Sequence, residues 1–440
     1  MVVWQGTYGH WMTVYNFRKV AQKKKIMEEH QEELQRKPRI VWATPYCLLD
    51  TSSGASISAR EMLRQLVVNG YEVSVFGATV FDSESGLTKF PDNWKTLIGK
   101  EEIILLNDPP LEHRLLVTVS TVRSLMTAYE ADRWYALYVG LLDTFKPDLV
   151  LFYGGMSLDL LISDAARERK IPCAAYLANG NYSGKRWCRD VDLIITNSQA
   201  NSDYYARKEG FTSIPVGVFI DPAPVVSLEH TRKNILFINP SLEKGAVIVI
   251  QLALLLEKTR PDIKFEVVEC RGSWQELVRQ VTKHYGEQRE ALDNVIVKPN
   301  TNDMRPVYGR ARLLLAPSLW WESAGRVVVE AMLNGIPAIV TDRGGLPETL
   351  GIGGIKVQFP EECYEEPYTY FPKLAILEPL VEKIVQFYDD DVFYNDYVAR
   401  ALHEGKRSLS MEESTNRLMN AFRPFIQKAY MMSDRHTTPG

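Results

Sequence analysis

The sequence predicts an α/β protein built from two doubly wound halves joined by a hinge. Apolar runs of strand length alternate with amphipathic runs of helix length along most of the chain. That rhythm stops in the proline-rich stretch Ile214 to Pro224 and then restarts. A chain of 440 residues is long enough for two or three domains, each with its own core.

The elements follow in order. Arg39-Ile40-Val41-Trp42-Ala43 reads as a strand, Ile57 to Asn69 as an amphipathic helix stopped by Gly70, and Glu72-Val73-Ser74-Val75-Phe76 as a second strand. Pro147 to Phe152 is a strand, Asp159 to Lys170 a helix, Cys173 to Leu177 and Leu193 to Thr196 strands, and Gln199 to Lys208 a helix. After the hinge come a strand at Ile235 to Ile238, a helix at Ala246 to Lys258 and a strand at Lys264 to Val268. Leu313 to Ala316, closed by Pro317, and Gly335 to Thr341 suit buried parallel strands, with helix-length Val327 to Leu333 between them. The expected organisation is a helical extension over 1–37, a first Rossmann-like domain over 38–217, a linker over 218–232 and a second Rossmann-like domain over 233–410. A helix over 411–430 is expected to cross back to the first domain, followed by a tail over 431–440.

Composition excludes several classes. Hydrophobic residues at 45% and charged residues at 24% are those of a soluble globular chain. A net charge of -4 lacks the basic excess of a nucleic-acid binder, so no nucleic-acid partner is expected. The five cysteines, at 47, 173, 188, 270 and 363, are scattered without a CxxC pair, and Cys47, Cys173 and Cys270 sit in apolar, strand-like runs. Reduced, buried thiols in a cytoplasmic protein are the expectation. No apolar stretch reaches the roughly 18 residues of a membrane span, and the N-terminus does not read as a signal peptide.

The densest chemistry lies in Trp321-Glu322-Ser323-Ala324-Gly325-Arg326-Val327-Val328-Val329-Glu330-Ala331. Strand, loop and helix place residues 322–327 at the carboxyl end of a strand and the amino end of a helix, where free N–H groups and the helix dipole favour a phosphate. Gly325 removes a side chain where a diphosphate would approach the backbone. Glu330 lies roughly 7 Å further along the axis, about the distance from a pyrophosphate to its ribose, and a carboxylate accepts from vicinal hydroxyls. Glu322 would sit on the sugar side. Acidic early turns also stabilise any helix, so spacing alone leaves both readings open.

The wider pattern resembles the retaining GT-B glycosyltransferases of the Glu-x7-Glu group, which include bacterial mannosyltransferases, sucrose synthase and glycogen synthase. Glu322-Ser323-Ala324-Gly325, Glu330-Ala331-Met332, Gly335-Ile336-Pro337-Ala338-Ile339-Val340 and Gly344-Gly345-Leu346-Pro347-Glu348 carry the likeness. Asn234 to Gly245 looks like the first strand of the family's nucleotide domain with its Glu-Lys-Gly loop, and Ile214-Pro215-Val216-Gly217-Val218 like its interdomain segment. The resemblance implies two Rossmann-like domains facing across a cleft, and metal-independent transfer of a sugar from a nucleoside diphosphate sugar to an acceptor hydroxyl on a saccharide, a lipid-linked group or a protein glycan. It implies no cofactor.

Residue by residue, the resemblance places Lys244 on the donor diphosphate, with Glu322 as the other residue closest to the chemistry. Glu330, Ser323, Ala324, Gly325, Arg326 and Val327 become donor-binding residues. Asn239-Pro240 stands where the family has Gly-Arg, so Arg326 and Arg271 are the candidates to replace the missing arginine. Gly54, in Ser52-Ser53-Gly54, keeps one glycine of a loop that closes over the donor phosphates, although serine and glycine there also make an ordinary helix cap. Asn179 stands near the place of a sugar-contacting histidine. These departures motivate a second hypothesis, a catalytically weak GT-B subunit that supports a partner glycosyltransferase. Phe81 to Glu102 and Glu112 to Arg133 are expected to shape the acceptor side.

Asp389-Asp390-Asp391 and Asp190-Val191-Asp192 mimic a metal-binding Asp-x-Asp, but one ends a helical pattern, Leu380 to Tyr388, and the other precedes a buried strand. No metal site is expected. Trp4, Tyr8, Trp11 and Tyr15 share one helical face in the extension, ahead of the charge run Lys23 to Glu33. Packing on the body, an oligomer contact between copies and a peripheral membrane contact all stay open for that face, so the cytoplasmic expectation extends to membrane association.

Overall fold

The computed structural model describes residues 36–435 apart from 101, 156, 271 and 408. The aromatic face of Trp4, Tyr8, Trp11 and Tyr15 lies outside the described residues, as does Arg271.

Two sheets organise the chain. The N-terminal lobe holds β1 (Arg39–Ala43), α1 (Gly54–Val68), β2 (Glu72–Ala78), β3 (Ile103–Asp108), β4 (Leu111–Leu116), α2 (Ala128–Phe145), β5 (Leu149–Phe152), α3 (Ser157–Glu168), β6 (Cys173–Leu177), β7 (Leu193–Thr196), α4 (Gln199–Glu209) and β8 (Ile214–Pro215). Its strand order is β3-β4-β2-β1-β5-β6-β7-β8. Every pairing is parallel except that of β3 with β4.

The C-terminal lobe holds β9 (Asn234–Ile238), α5 (Ala246–Thr259), β10 (Phe265–Val268), α6 (Trp274–His284), β11 (Val295–Lys298), α7 (Arg305–Arg310), β12 (Ala311–Ala316), α8 (Arg326–Leu333), β13 (Ala338–Thr341), α9 (Leu346–Leu350) and β14 (Gly354–Val357). The helices α10 (Leu374–Asp389), α11 (Asp391–Arg407) and α12 (Met411–Arg435) follow. The second sheet, in order β11-β10-β9-β12-β13-β14, is wholly parallel.

Period-two alternation explains why both faces of each sheet are covered. On β9, Ile235 and Phe237 enter the core shared with α5 and α6, while Leu236 enters the opposite core shared with α8. The crossing between lobes is itself buried: Val216 and Phe219 pack into the N-terminal core, Val218, Ile220 and Val225 into the C-terminal one. Helix α12 returns to the N-terminal lobe, where Leu418, Ala421, Phe422 and Ile426 join α1 residues Ala59, Met62, Leu63 and Leu66.

Several expectations shift. α1 begins three residues before Ile57, because Ser53 caps it by accepting from the Ser56 amide. The stretch Phe81 to Glu102 is not simply polar: Phe81, Phe90 and Trp94 form a small core with Cys47, Leu49, Ile104 and Leu115. Glu112 to Arg133 contains strand β4 and the start of α2. Asp389 and Asp391 are held by Arg260 and Arg312, and Asp190 by Arg167 and Arg189. Among the described residues no three His, Cys, Asp or Glu side chains are grouped so as to hold a metal ion. Cys47, Cys173 and Cys363 are buried, but Cys270 lies beyond the end of β10 and lines the interlobe cleft, so its expected strand burial does not hold. No described helix is long and apolar enough to cross a membrane.

Candidate active site

A cavity of about 1120 Å³ lies between the lobes. Lys244, Glu322, Ser323, Ala324, Gly325, Arg326, Val327, Glu330, Gly54 and Asn179 all line it, so the structure brings together every expected site residue that it describes. The strand order accounts for the convergence. Among the parallel strands of each sheet the order reverses between β1 and β5 and between β9 and β12, and crevices in doubly wound sheets open at such points. Lys244 follows β9 and Glu322 follows β12, so the two come from the flanking loops of one reversal.

Lys244 Nζ pairs with Glu322 Oε1, and Ser318 Oγ donates to the same oxygen at 3.0 Å. The ammonium also lies 5.2 Å from the centre of the Trp320 ring. Burial pushes the Glu322 carboxyl up, but the Lys244 charge and hydrogen bonds outweigh it and hold the group below the usual glutamate range. Glu322 is therefore ionised in the cleft.

Two helix N-termini frame this pair. Gly245 and Gly325 stand at the N-cap positions of α5 and α8, both left-handed, with φ of 81° and 76°, and neither helix has a side-chain cap. By contrast, serines cap α1, α4 and α6. A Cβ on Gly245 would lie 2.1 Å from Pro317 O, and one on Gly325 would lie 2.5 Å from Leu346 Cδ2. The local reason for Gly325 is thus backbone conformation and packing against Leu346, which adds to the expected need for close approach. The Ala246 amide donates to Ser241 O at 3.1 Å and the Val328 amide to Gly325 O at 3.0 Å, and no side chain caps the other first-turn amides of the two helices.

Glu330, 6% exposed, accepts from Tyr308 Oη at 2.7 Å through Oε2 and pairs with Arg326 Nε at 2.7 Å through Oε1. Burial and the adjoining carboxylate push the Tyr308 phenol well up, which keeps it a donor. Arg326 Nη1 donates to Phe219 O at 2.9 Å, and a Cβ on Gly54 would lie 3.9 Å from its Cδ. The arginine expected to replace the missing phosphate ligand is thus held between Glu330 and the interlobe crossing. Asn239 is left-handed, with φ of 58°, and its amide donates to Val268 O.

Ser323 works across the cleft. Its Oγ donates to Ala178 O at 2.8 Å and receives Asn197 Nδ2 at 2.8 Å, while Ser198 Oγ donates to its carbonyl. Asn179 Oδ1 accepts from the Asn181 amide at 3.0 Å. Sequence reasoning missed Tyr308, Ser318, Trp320 and Asn197. None sits in a motif, and each becomes legible only through its contact with a motif residue.

Two parallel-sheet lobes facing across a cleft, with helix N-termini at its floor, define the GT-B class. Residues 224–366 match the family described as Glycosyl transferases group 1. Spore coat protein SA of Bacillus subtilis (strain 168) is 27% identical over 160 residues, which span 35% of this chain and 41% of that protein. Two solved structures share the whole two-lobed fold. HepE from Anabaena, in complex with UDP and glucose, is 15% identical with a TM-score of 0.60 over 88% of this chain and 100% of that one. Sucrose-phosphate synthase from Thermosynechococcus elongatus is 13% identical with a TM-score of 0.62 over 89% and 100%. At these identities the likeness to the two structures is one of fold.

Proposed function

We propose that the protein is a retaining glycosyltransferase that moves a sugar from a nucleoside diphosphate sugar to an acceptor hydroxyl without a metal ion. One observation carries the reading: the Lys244–Glu322 pair lies beside two helix N-termini without side-chain caps, with Glu330 further into one of them. Negative charge grows on the departing diphosphate, and cations and amides already in place stabilise it without reorganisation. Lys244 and the amides of residues 325–327 serve the diphosphate, Glu330 the ribose, and Glu322 the sugar hydroxyls. The N-terminal lobe presents the acceptor, with Gly54 and Asn179 reaching the donor from that side. The bond from the anomeric carbon to the diphosphate oxygen breaks as the acceptor oxygen bonds on the same face, and the acceptor's proton passes to the leaving phosphate. Closure of the lobes keeps water from the donor. The UDP in the HepE complex supports UDP-sugars as the first donors to offer.

The test offers UDP-, GDP- and ADP-sugars with a panel of acceptors, with and without EDTA, and follows release of nucleoside diphosphate. NMR of the product reads its anomeric configuration. No release from any pair would sink the enzyme reading, an inverted product the retention, and loss of turnover in EDTA the metal independence. Glu330→Ala should weaken UDP binding; unchanged binding would refute the ribose assignment.

A second reading, a catalytically weak GT-B subunit that supports a partner glycosyltransferase, draws on Asn239-Pro240 in the arginine's place and on Arg326 being engaged by Glu330. It expects UDP binding without turnover until a partner is added.

A further inference from the structure

The contacts of Glu348 lie on the far side of the cleft. Its carboxylate accepts from the amides of Gln199 at 2.9 Å and Ala200 at 2.6 Å, the first two residues of α4 in the N-terminal lobe. α4 already has a local cap, Ser198 Oγ, which accepts from the Asn201 amide at 2.9 Å. The local serine thus takes one early amide, and a carboxylate from the opposite lobe takes the other two. A bidentate anion at a helix N-terminus joins charge-assisted hydrogen bonds to the favourable end of the helix dipole.

The segment that carries Glu348 also fixes the Glu322 loop. The Gly345 amide donates to Glu322 O at 2.6 Å, and Thr349 Oγ1 donates to Ala324 O. A Cβ on Gly344 would lie 2.0 Å from Glu322 O, and one on Gly345 would lie 2.1 Å from Ser323 O, so the two backbones touch. Trp321 stacks on Tyr204 of α4 with ring centres 4.3 Å apart. Glu348, the Glu322 loop and α4 therefore form one block that spans the cleft, and its parts cannot separate without breaking the Glu348 bonds.

We propose that Glu348 is a positioning residue: its carboxylate latches the C-terminal lobe onto the N-terminus of α4, and this holds the closed arrangement in which the Glu322 loop faces the acceptor wall. The proposal rests on the glycosyltransferase reading for its kinetic consequence, but the latch itself is a statement about lobe geometry. Glu348 is exposed, as is the Gln199 end of the contact, so the latch can open to water without disturbing a core. The two residues between Gly345 and Glu348 set the reach, because α9 starts at Leu346 and presents its third residue to α4.

The test uses the full chain with Glu348→Ala and Glu348→Gln. Small-angle scattering reads lobe separation, calorimetry reads UDP affinity, and nucleotide release reads turnover. Glu348→Ala should enlarge the radius of gyration and lower kcat/KM for the acceptor by about tenfold, the loss of one charge-assisted contact. UDP affinity and melting temperature should stay near wild type, because Lys244, Glu330 and the amides of residues 325–327, which the proposal gives to the diphosphate and ribose, all belong to the C-terminal lobe. Glu348→Gln, which keeps the shape and loses the charge, should fall between. Scattering and acceptor kinetics identical to wild type would overturn the latch. So would a Glu348→Ala protein that lost UDP affinity and melting temperature together, since that pattern marks a purely structural residue. If the wild type turns over no donor, the scattering and UDP arms still decide the latch, and the glycosyltransferase reading fails separately.

Discussion

Replacing Lys244 by methionine removes the cation from Glu322, whose side chain is 13% exposed, and leaves the Ser318 hydroxyl on the same oxygen. Breaking a buried ion pair by deleting one partner costs about 3–5 kcal/mol, because the survivor stays desolvated. Lys244 itself is 26% exposed, so water can reach the gap, and the Ser318 bond offsets about 1 kcal/mol. The expected loss is about 2–3 kcal/mol. Urea denaturation should read it in the transition of the C-terminal lobe, with Glu322→Gln and the double variant completing a cycle. The double variant should recover more than about 1 kcal/mol of the single Lys244→Met loss, because the orphaned charge is gone. The pH course follows from the depressed carboxyl. Its contribution is fully present above the usual glutamate range and disappears as pH falls through the lower folded value. In Lys244→Met burial, the largest influence on the group, is opposed only by the remaining hydrogen bonds and raises the carboxyl, so the deficit against wild type should shrink as the pH is lowered from about 7 to about 4. A deficit below about 0.5 kcal/mol, or one that stays flat over that range, would refute the assignment of Lys244 as the partner that keeps Glu322 charged.

Tyr308→Phe should weaken UDP binding about tenfold in calorimetry, since a hydrogen bond to a carboxylate contributes about 1.5 kcal/mol; unaltered affinity would detach the Tyr308–Glu330 pair from the donor. Gly344→Ala places a Cβ at positive φ and 2.0 Å from Glu322 O, so thermal melting should show a loss above about 2 kcal/mol. Wild-type melting in that variant would mean that the Glu322 loop is not held by the two glycines. Cys270 and Cys188 should be the first thiols alkylated in the native protein, because Cys47, Cys173 and Cys363 are buried and burial pushes the Cys47 thiol up to about 12. UDP should slow labelling of Cys270 and leave that of Cys188 unchanged, as peptide mass mapping would show; equal protection of both would argue against a nucleotide in the cleft.

The fold was legible where periodicity was strong. β1, β6 and β7 were read to the residue because each is a short apolar run covered on both faces. The hairpin of β3 and β4 was not, since β3 lies at a sheet edge and its exposed Leu105 sits within an unbroken apolar run, Ile103 to Leu106, that shows no alternation. α2 could have been found: Thr127 and Glu130 form a reciprocal capping box, and Thr-x-x-Glu is readable in sequence. At the site, motif spacing was enough to bring Glu322, Glu330 and Lys244 into one cleft. It could not reveal what Arg326 and Ser323 touch, because Phe219, Ala178 and Asn197 are distant in sequence and meet these side chains only after both lobes have formed.

The return of α12 bears on the order in which the chain can fold. The N-terminal lobe's sheet is complete by β8, yet the α1 face bearing Ala59, Met62, Leu63 and Leu66 is covered by side chains made some two hundred residues later, Leu418 through Ile426. During synthesis from the amino end, that apolar surface stays open while the entire second lobe is being made. The first lobe therefore cannot finish before α12 is made, and a chaperone that shields the α1 face would have to remain until that helix leaves the ribosome.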